Sequence, residues 1–214
     1  MASYYALWHD ARRTELRLHT DEQGRVDGFL TLSQTGADLF RLLVTMRARN
    51  EAIARELFHA SLAPNRPYLV VAPVSLASVA REQMEIERST LNRIYHLSPS
   101  HFQPIVNVLV QQKRGADGSL RFQIESQGQV VATSGTNWRS PVFAEVFVYV
   151  HPQGRGRSWG KSVVSACTAA LLEQRVQPIY VVEEGNDASV SLAEGLGYRD
   201  TGAREFAGEG HTRT

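Results

Sequence analysis

The sequence predicts an α/β (α+β) fold, because strand-like and helix-like segments alternate along its second half. Residues 121–126 and 130–138 are strand-like runs separated by Gln127-Gly128, a spacing typical of a β-hairpin. The next run, VFAEVFVYV at 142–150, is apolar at nearly every position and rich in β-branched and aromatic residues. Such a run is typical of a strand that is covered on both faces.

The remaining elements of this half follow in order. A loop with three glycines leads into a segment whose apolar residues recur at helical spacing, which predicts a helix from about 158 to 174. PIYVV at 178–182 predicts a second buried strand. Residues 187–197 predict a short helix with Gly197 as its C-cap, and residues 198–208 predict a final strand.

The first half is a fainter version of the second. Residues 24–48 align with residues 128–152 without a gap, a helix is predicted over 50–62, and PYLVV at 67–71 matches the later PIYVV. Few positions are identical, so the repeat is only suggested. The segment that corresponds to the glycine-rich loop reads NEAIARE and has no glycine. Only the second half is therefore expected to bind phosphate through its backbone.

The segment between the two halves, residues 84–119, predicts a helix, a break at Ser98-Pro99 and a strand near 104–112. We accordingly place the lobe boundary near residue 98. The expected domains are a degenerate N-terminal lobe, residues 1–98, without the glycine-rich loop, and a C-terminal lobe, residues 99–214, which contains it.

Composition narrows the class of protein. The chain has 214 residues, 43% of them hydrophobic and 21% charged, with a formal net charge of +1, as in ordinary globular proteins. This balance gives no electrostatic reason to expect nucleic acid or an anionic membrane as a partner. Cys167 is the only cysteine, and neither a signal-peptide pattern nor an apolar run long enough to span a bilayer is present, so we expect a cytoplasmic protein.

Two enzyme classes are disfavoured by missing motifs. The seven histidines are scattered without any metal-ligand spacing, and no G-x-S-x-G elbow is present. We therefore expect neither a metal cofactor nor an α/β-hydrolase.

The loop HPQGRGRSWGKS, residues 151–162, has the composition of a phosphate-binding loop. Glycines and positive charges lie directly before a helix N-terminus, where free backbone amides and the helix dipole favour an anion. Gly160-Lys161-Ser162 also resembles the end of a nucleotide triphosphatase P-loop, but Arg155 stands where that motif needs its first glycine. We keep a P-loop triphosphatase as a remote alternative.

Two ordered motifs resemble the GNAT superfamily of acyl-CoA-dependent N-acyltransferases. Val150-His151-Pro152 followed by RGRSWG at 155–160 is similar to the family's strand end, V-x-P, and its loop pattern, [QR]-x-x-G-x-[GA]. Residues 186–198 resemble the family's N-x-x-[AS]-x-x-L-x-x-x-L-G-[FY] signature. The asparagine followed three residues later by serine is most similar to the branch that contains the C-terminal halves of glycine N-acyltransferases. The resemblance covers about 120–206.

The resemblance implies a mixed, largely antiparallel sheet flanked by helices, with two GNAT-like lobes if the repeat is real. It also implies that the strand matching 142–150 splays from the strand matching 178–182 and holds the pantetheine arm of acetyl-CoA. The residues expected to contact this co-substrate are Val148, Tyr149, Val150, Arg155, Gly156, Arg157, Ser158, Trp159, Gly160, Lys161, Asn186 and Ser189.

Two positions depart from the family pattern. Ser158 replaces the loop's first glycine, and a small residue is expected to fit there only if φ is not positive. Ala193 stands where many members carry the tyrosine that protonates the CoA thiolate. Tyr198, Tyr149 or a water is the candidate replacement, and Tyr198 is the candidate acid that we name with Glu145.

Glu145 is the only charged residue in an otherwise apolar strand. A carboxylate there is either a general base for an amine or a structural group that holds an arginine such as Arg139, and both interpretations stay open. Asn186 and Trp159 also have structural alternatives, as a helix cap and a packing residue.

The expected function is the transfer of an acetyl or other acyl group from acetyl-CoA to a primary amine by direct attack. The alternative is a module that binds CoA without catalysis, which Ala193 favours. The expected partners are acetyl-CoA and an amine acceptor, with a homodimer left open.

Overall fold

The computed structural model describes residues 1–36, 38–115 and 118–213. They form two compact units, Met1–Asn92 with Ala203–Thr214, and Arg93–Gly202. The first boundary thus falls a few residues before the predicted position near 98. Unlike the predicted C-terminal lobe, the second unit does not include the last residues of the chain.

The first unit holds the first four strands. Its elements are α1 (Ala2–Leu7), β1 (Thr14–Thr20), β2 (Val26–Ser33), β3 (Leu42–Ala48), α2 (Glu51–Ser61), β4 (Pro67–Pro73) and α3 (Ala77–Gln83), with residues 84–92 of β5 (Met84–Leu97) and 203–212 of β11 (Tyr198–Thr212). Strands β1, β2 and β3 are antiparallel neighbours, and β3 pairs with β4 in parallel. Side chains of α2 such as Ile53 and Phe58 pack with Val44 and Val70 in a buried core.

The second unit repeats this local topology. Its elements are residues 93–97 of β5, β6 (Gln111–Arg114), β7 (Leu120–Ser126), β8 (Gln129–Arg139), β9 (Phe143–Val150), α4 (Trp159–Glu173), β10 (Gln177–Glu183), α5 (Asp187–Glu194) and residues 198–202 of β11. Strands β6 to β9 are antiparallel neighbours, and β9 pairs with β10 in parallel. The predicted hairpin and the predicted central strand, helix and second strand are all confirmed, with bounds within a few residues. All eleven strands belong to one sheet, and in each unit the strand pairing is mixed and largely antiparallel.

The two longest strands are β5 and β11, and their neighbours in the sheet are not the strands that precede or follow them in the chain. In the first unit β4 pairs with β11, from Glu205 opposite Pro73 to His211 opposite Pro67, although β5 follows β4 in the chain. In the second unit β10 lies beside β5. Each unit is therefore completed by a strand segment from the other half of the chain.

Residues 84–97 form β5, so the prediction of a helix before Ser98 is wrong. The run is rich in Glu and Arg, which favour helices, but tertiary pairing with neighbouring strands overrides that local preference. At its end the burial alternates, with Tyr95 and Leu97 buried and His96 exposed, as in a strand.

The predicted strand near 104–112 is also wrong, because only Gln111–Arg114 is a strand and residues 102–110 have no regular structure. The backbone amide of Ile105 donates to Ser165 Oγ at 2.8 Å, so this segment bonds to a side chain of α4 and not to another strand.

The end of α5 differs from the prediction as well. Helix α5 ends at Glu194 with Gly195 as its C-cap, so Gly197 is not the cap. Gly197 has φ +96, and a Cβ there would lie 2.8 Å from the carbonyl carbon of His101. Glycine is needed at this position for the close approach of two backbone segments.

Candidate acyl-CoA site

Strands β9 and β10 pair along their first halves only. The ladder runs from Gln177 opposite Phe143 to Tyr180 opposite Val146. In both strands, which the structure describes completely, no register pair follows Val146. On its other edge β9 stays paired with β8 as far as Val150. The second half of β9 therefore has one edge of backbone groups available to a ligand.

The loop after β9 turns sharply and then enters α4. His151 accepts from the amide of Gln153, and a short 3₁₀ turn covers Pro152–Gly154. Gly154 is buried, and a Cβ there would come within 2.6 Å of the carbonyl oxygen of Val131. Gly156 has φ +72, a backbone conformation that costs free energy for residues other than glycine.

The amides at the start of α4 find no acceptor within the part of the chain that the structure describes. The first helical hydrogen bond runs from the amide of Ser162 to the carbonyl of Ser158. Among the described residues, no hydrogen bond is made by the backbone amides of residues 156–161. Free amides at a helix N-terminus, together with the helix dipole, favour an anion such as a pyrophosphate.

Ser158 contradicts the expectation that a residue with a Cβ fits here only when φ is not positive. It is the N-cap of α4 with φ 55 and ψ 13, in the left-handed region, and its side chain makes no capping hydrogen bond. A residue other than glycine in this region costs roughly 1–2 kcal/mol. Ser158 thus has a backbone conformation that favours glycine, at the position where the family pattern has glycine. The resulting strain is compensated by the surrounding structure.

Ser158→Gly is expected to raise the free energy of unfolding by about 0.5–1 kcal/mol, since it removes this strain at a smaller entropic cost. Ser158→Ala is the matched control and should give no gain, because alanine keeps the Cβ. Urea denaturation of the three proteins measures the difference. Equal stability of the Gly and Ala variants would show that position 158 is not strained.

The basic side chains of the loop take different positions. Arg155 and Arg157 are exposed, and the Arg157 guanidinium lies 4.9 Å from the centre of the Trp159 ring. Trp159 packs against the core, in agreement with the interpretation of this residue as a packing residue. Lys161 reaches toward the end of α5, where a Cβ on Gly195 would lie 3.0 Å from Nζ. The two arginines are therefore the cations next to the free amides.

Gly160 fixes the distance between α4 and β9. A Cβ at this position would lie 2.8 Å from Val150 Cγ2, 3.3 Å from Leu192 Cδ1 and 3.8 Å from Val148 Cγ2. The absence of a side chain lets the first turn of α4 pack directly on the open half of β9. The two predicted contact regions, strand and loop, are thereby brought together.

Asn186 and Ser189 lie at the start of α5. Asn186 is the N-cap, and its Oδ1 accepts from the backbone amide of Ser189 at 3.1 Å. The Ser189 hydroxyl lies 3.1 Å from the Tyr180 hydroxyl, at the end of the β9–β10 ladder. Asn186 is therefore a helix cap, which was the structural alternative to ligand contact, and its side chain is exposed.

Glu145 is buried, with 5% of its surface exposed. Its oxygens accept from Asn137 Nδ2 at 2.7 Å and from Trp138 Nε1 at 2.6 Å. A bulge in β8 between Thr136 and Trp138 brings both donors to this carboxylate. Arg139, the arginine of the structural alternative, donates to Gln174 at 2.6 Å instead. Neither donor was predicted from the sequence, because the bulge that brings them to Glu145 is a tertiary feature.

Tyr198 is fully buried, and its hydroxyl lies 2.7 Å from Thr168 Oγ1 on α4. Burial raises the pKa of Tyr198 well above its ordinary value. These features favour a packing role and not the acid role predicted for it. Ala193 is also fully buried. Tyr149, which is 55% exposed and belongs to the unpaired half of β9, is the remaining phenol among the predicted candidates.

Cys167, the single cysteine, is buried on α4. Burial raises the pKa of its thiol to about 12. At neutral pH the thiol is protonated, so it is not a nucleophile.

The first unit has a similar strand pair but a different helix start. The register of β3 and β4 stops at Thr45 opposite Val71. Asn50 caps α2 by accepting from the amide of Ile53 at 3.0 Å, and the acidic Glu51 follows in the first turn. At the start of α2 a side-chain oxygen and a carboxylate thus lie near the amides, whereas the corresponding amides of α4 are free. This contrast supports the prediction that only the second half binds phosphate.

Two kinds of feature are missing from the described part of the chain. Within it, no cluster of three His, Cys, Asp or Glu side chains is arranged to hold a metal ion. No helix there is both long and apolar enough to cross a bilayer.

Comparison with known proteins identifies the fold. The model of the acetyltransferase (GNAT) family matches residues 84–198, just over half of the chain. The search for similar curated proteins found no match.

Solved structures with this fold have low sequence identity. A GCN5-related N-acetyltransferase-like protein from Streptococcus suis superposes with a TM-score of 0.64 and 15% identity, over 97% of this chain and 96% of that one. A GCN5-related N-acetyltransferase from Kribbella flavida gives 0.64 and 14%, over 92% and 90%. A tandem GNAT protein from the clavulanic acid biosynthesis pathway gives 0.60 and 13%, over 98% and 87%. The predicted GNAT fold is confirmed.

Proposed function

The chain belongs to the acetyltransferase (GNAT) family, and we propose that it transfers an acetyl group from acetyl-CoA to a primary amine of a small molecule or peptide. The observation that carries this proposal is the unpaired second half of β9, which leads directly into a loop of free amides. An extended arm with a pyrophosphate at its end needs this combination of a strand edge and an anion site.

The proposed chemistry is direct attack. The amine nitrogen forms a bond to the thioester carbon, the carbon–sulfur bond breaks, and the sulfur leaves as a thiolate. Backbone amides of β9 polarise the carbonyl. Glu145 takes the amine proton directly or through a water, and it lies on the same face of β9 as Phe147 and Tyr149 because side chains alternate along a strand. We assign protonation of the thiolate to Tyr149.

We further propose that the chain lies near one branch of this family. The spacing of Asn186 and Ser189 supports a place near the glycine N-acyltransferase-like branch, and the N-cap bond between them is compatible with contact to the pantetheine arm. Family membership leaves the P-loop triphosphatase without support.

Acyl-CoA binding is expected to depend on Arg155 and Arg157. The double variant Arg155→Glu/Arg157→Glu should weaken acetyl-CoA binding about 10- to 100-fold, since two attractive charges near the phosphates become repulsive. Arg66→Glu/Arg175→Glu reverses two exposed arginines elsewhere and is the matched control.

Isothermal titration with acetyl-CoA, CoA and Mg-ATP measures this dependence. The proposal requires binding of acetyl-CoA and CoA, no binding of Mg-ATP, and a loss confined to the loop variant. Equal affinity of the loop and control variants would refute the assigned cofactor site.

The two tyrosines are expected to separate catalysis from packing. Tyr149→Phe should lower kcat at least about tenfold, because it removes the proposed acid. Tyr198→Phe should leave kcat unchanged and lower the free energy of unfolding by about 1 kcal/mol, because Thr168 loses its partner. Steady-state kinetics and urea denaturation of both variants measure the two effects. An unchanged kcat for Tyr149→Phe would assign the proton to water.

A second candidate is a CoA-binding module without catalysis. Ala193 and the buried Tyr198 favour it, because they place no phenol from α5 or β11 beside the open half of β9. Tight acetyl-CoA binding without turnover of a broad panel of amines would support this candidate over the enzyme.

A further inference from the structure

A cavity of about 380 Å³ lies in the second unit beside the C-terminal half of α4, at the opposite end of that helix from the free amides. Its volume is within the ~300–1,000 Å³ range of small-molecule sites. On the helix side it is lined by Cys167, Ala170, Leu171 and Gln174, which share one face of α4 because they are spaced i, i+3, i+4 and i+7.

The floor of the cavity is apolar. Leu120 and Phe122 of β7 face α4, and Phe122, Cys167 and Leu171 are all buried. The high pKa of the Cys167 thiol, about 12, keeps this floor uncharged at neutral pH. The floor is therefore suited to an alkyl or aromatic group.

The rim of the cavity is cationic. Arg114 of β6 and Arg139 at the end of β8 both line it and are exposed. Their hydrogen-bond partners are neutral, since Arg114 donates to the carbonyl of Gly118 at 3.0 Å and Arg139 to Gln174 at 2.6 Å. Among the described residues neither guanidinium is paired with a carboxylate, and no acidic side chain lines the cavity.

We propose that this cavity is a second ligand site, which binds a small carboxylate with an apolar tail. The tail would lie on the floor of Leu120, Phe122 and Leu171, and the carboxylate would accept from Arg114 and Arg139 at the rim. Guanidinium groups bind carboxylates through charge-assisted hydrogen bonds, which are stronger than neutral ones. A cationic amine, the proposed acceptor class, would be repelled by this rim. The site is therefore distinct from the acceptor site.

Calorimetric titration of the full chain with octanoate, octanamide and acetate tests the proposal. Octanoate is expected to bind at least tenfold more tightly than octanamide, which lacks the charge, and than acetate, which lacks the tail. Arg114→Gln/Arg139→Gln should weaken octanoate binding at least tenfold and leave octanamide binding unchanged. The control Arg66→Gln/Arg175→Gln should bind octanoate like the wild type.

Two further variants separate this site from the others. Ala170→Phe fills the cavity and should abolish octanoate binding, with thermal unfolding as the check that it folds. Gly160→Val, at the other end of α4, should leave octanoate binding unchanged whether or not acetyl-CoA still binds. The proposal is overturned if octanamide binds as tightly as octanoate, if the arginine variant keeps wild-type affinity, or if about 10 mM octanoate neither binds nor stabilises the wild type.

Discussion

Gly160→Val is expected to weaken acetyl-CoA binding at least about 100-fold, roughly 2.7 kcal/mol, while the chain stays folded. The added side chain cannot fit between α4 and β9, because a Cβ alone would lie 2.8 Å from Val150. The first turn of α4 must move away from the strand. The free amides then no longer lie in line with the open half of β9.

Ala169→Val is the matched control for this change. It adds the same branched side chain to α4 at a half-buried position that does not pack against the core cluster. Its acetyl-CoA affinity should stay within about twofold of the wild type. Titration calorimetry with thermal unfolding measures both properties. Wild-type affinity in Gly160→Val would show that the packing of α4 on β9 does not position the cofactor site.

Removal of residues 203–214 is expected to unfold the first unit. These residues include the part of β11 that pairs with β4 over the register from Glu205 to His211. They also carry Phe206, which is 1% exposed in the core of that unit. Without them β4 loses one row of ladder hydrogen bonds and part of its hydrophobic cover. Amide hydrogen exchange in residues 68–72 should change from protected to unprotected.

A point substitution tests the same strand without truncation. A Cβ on Gly210 would lie 2.0 Å from the carbonyl oxygen of Glu85, a backbone atom that cannot move aside by itself. Gly210→Val should therefore lower the free energy of unfolding by about 3 kcal/mol or more. Ala207→Val, on the same strand at a half-buried position, should cost less than about 1 kcal/mol. Protection of β4 that survives both the deletion and Gly210→Val would contradict the role assigned to β11.

Gly160→Val and the deletion of residues 203–214 change different units of the fold. Gly160→Val acts on the proposed chemistry and leaves the first unit intact. The deletion acts on the first unit, whose α2 start is occupied by its own cap and an acidic residue. If the deleted chain retains any acetyl-CoA binding, the second unit carries the cofactor site alone.

The sequence by itself determined the elements whose signals are local. The hairpin of β7 and β8, the apolar strands β9 and β10 and the helix α4 follow from the period of their apolar residues, which depends only on backbone geometry. The loop with free amides before α4 follows from its glycines and the adjacent helix, and the Asn186 cap follows from its residue type. Family membership was accessible for the same reason, since both of its motifs lie within short stretches of chain.

Only the tertiary structure decided the features that depend on distant residues. Residues 84–97 are a strand because other strands lie beside them, and Gly197 is a glycine because His101 approaches its backbone. The donors to Glu145 come from a bulge in another strand, and the end of β11 completes the first unit although it is far from β4 in sequence. The Ser158 conformation belongs to this group as well. Local preference disfavours a positive φ for serine, and the packing of the loop and α4 overrides that preference.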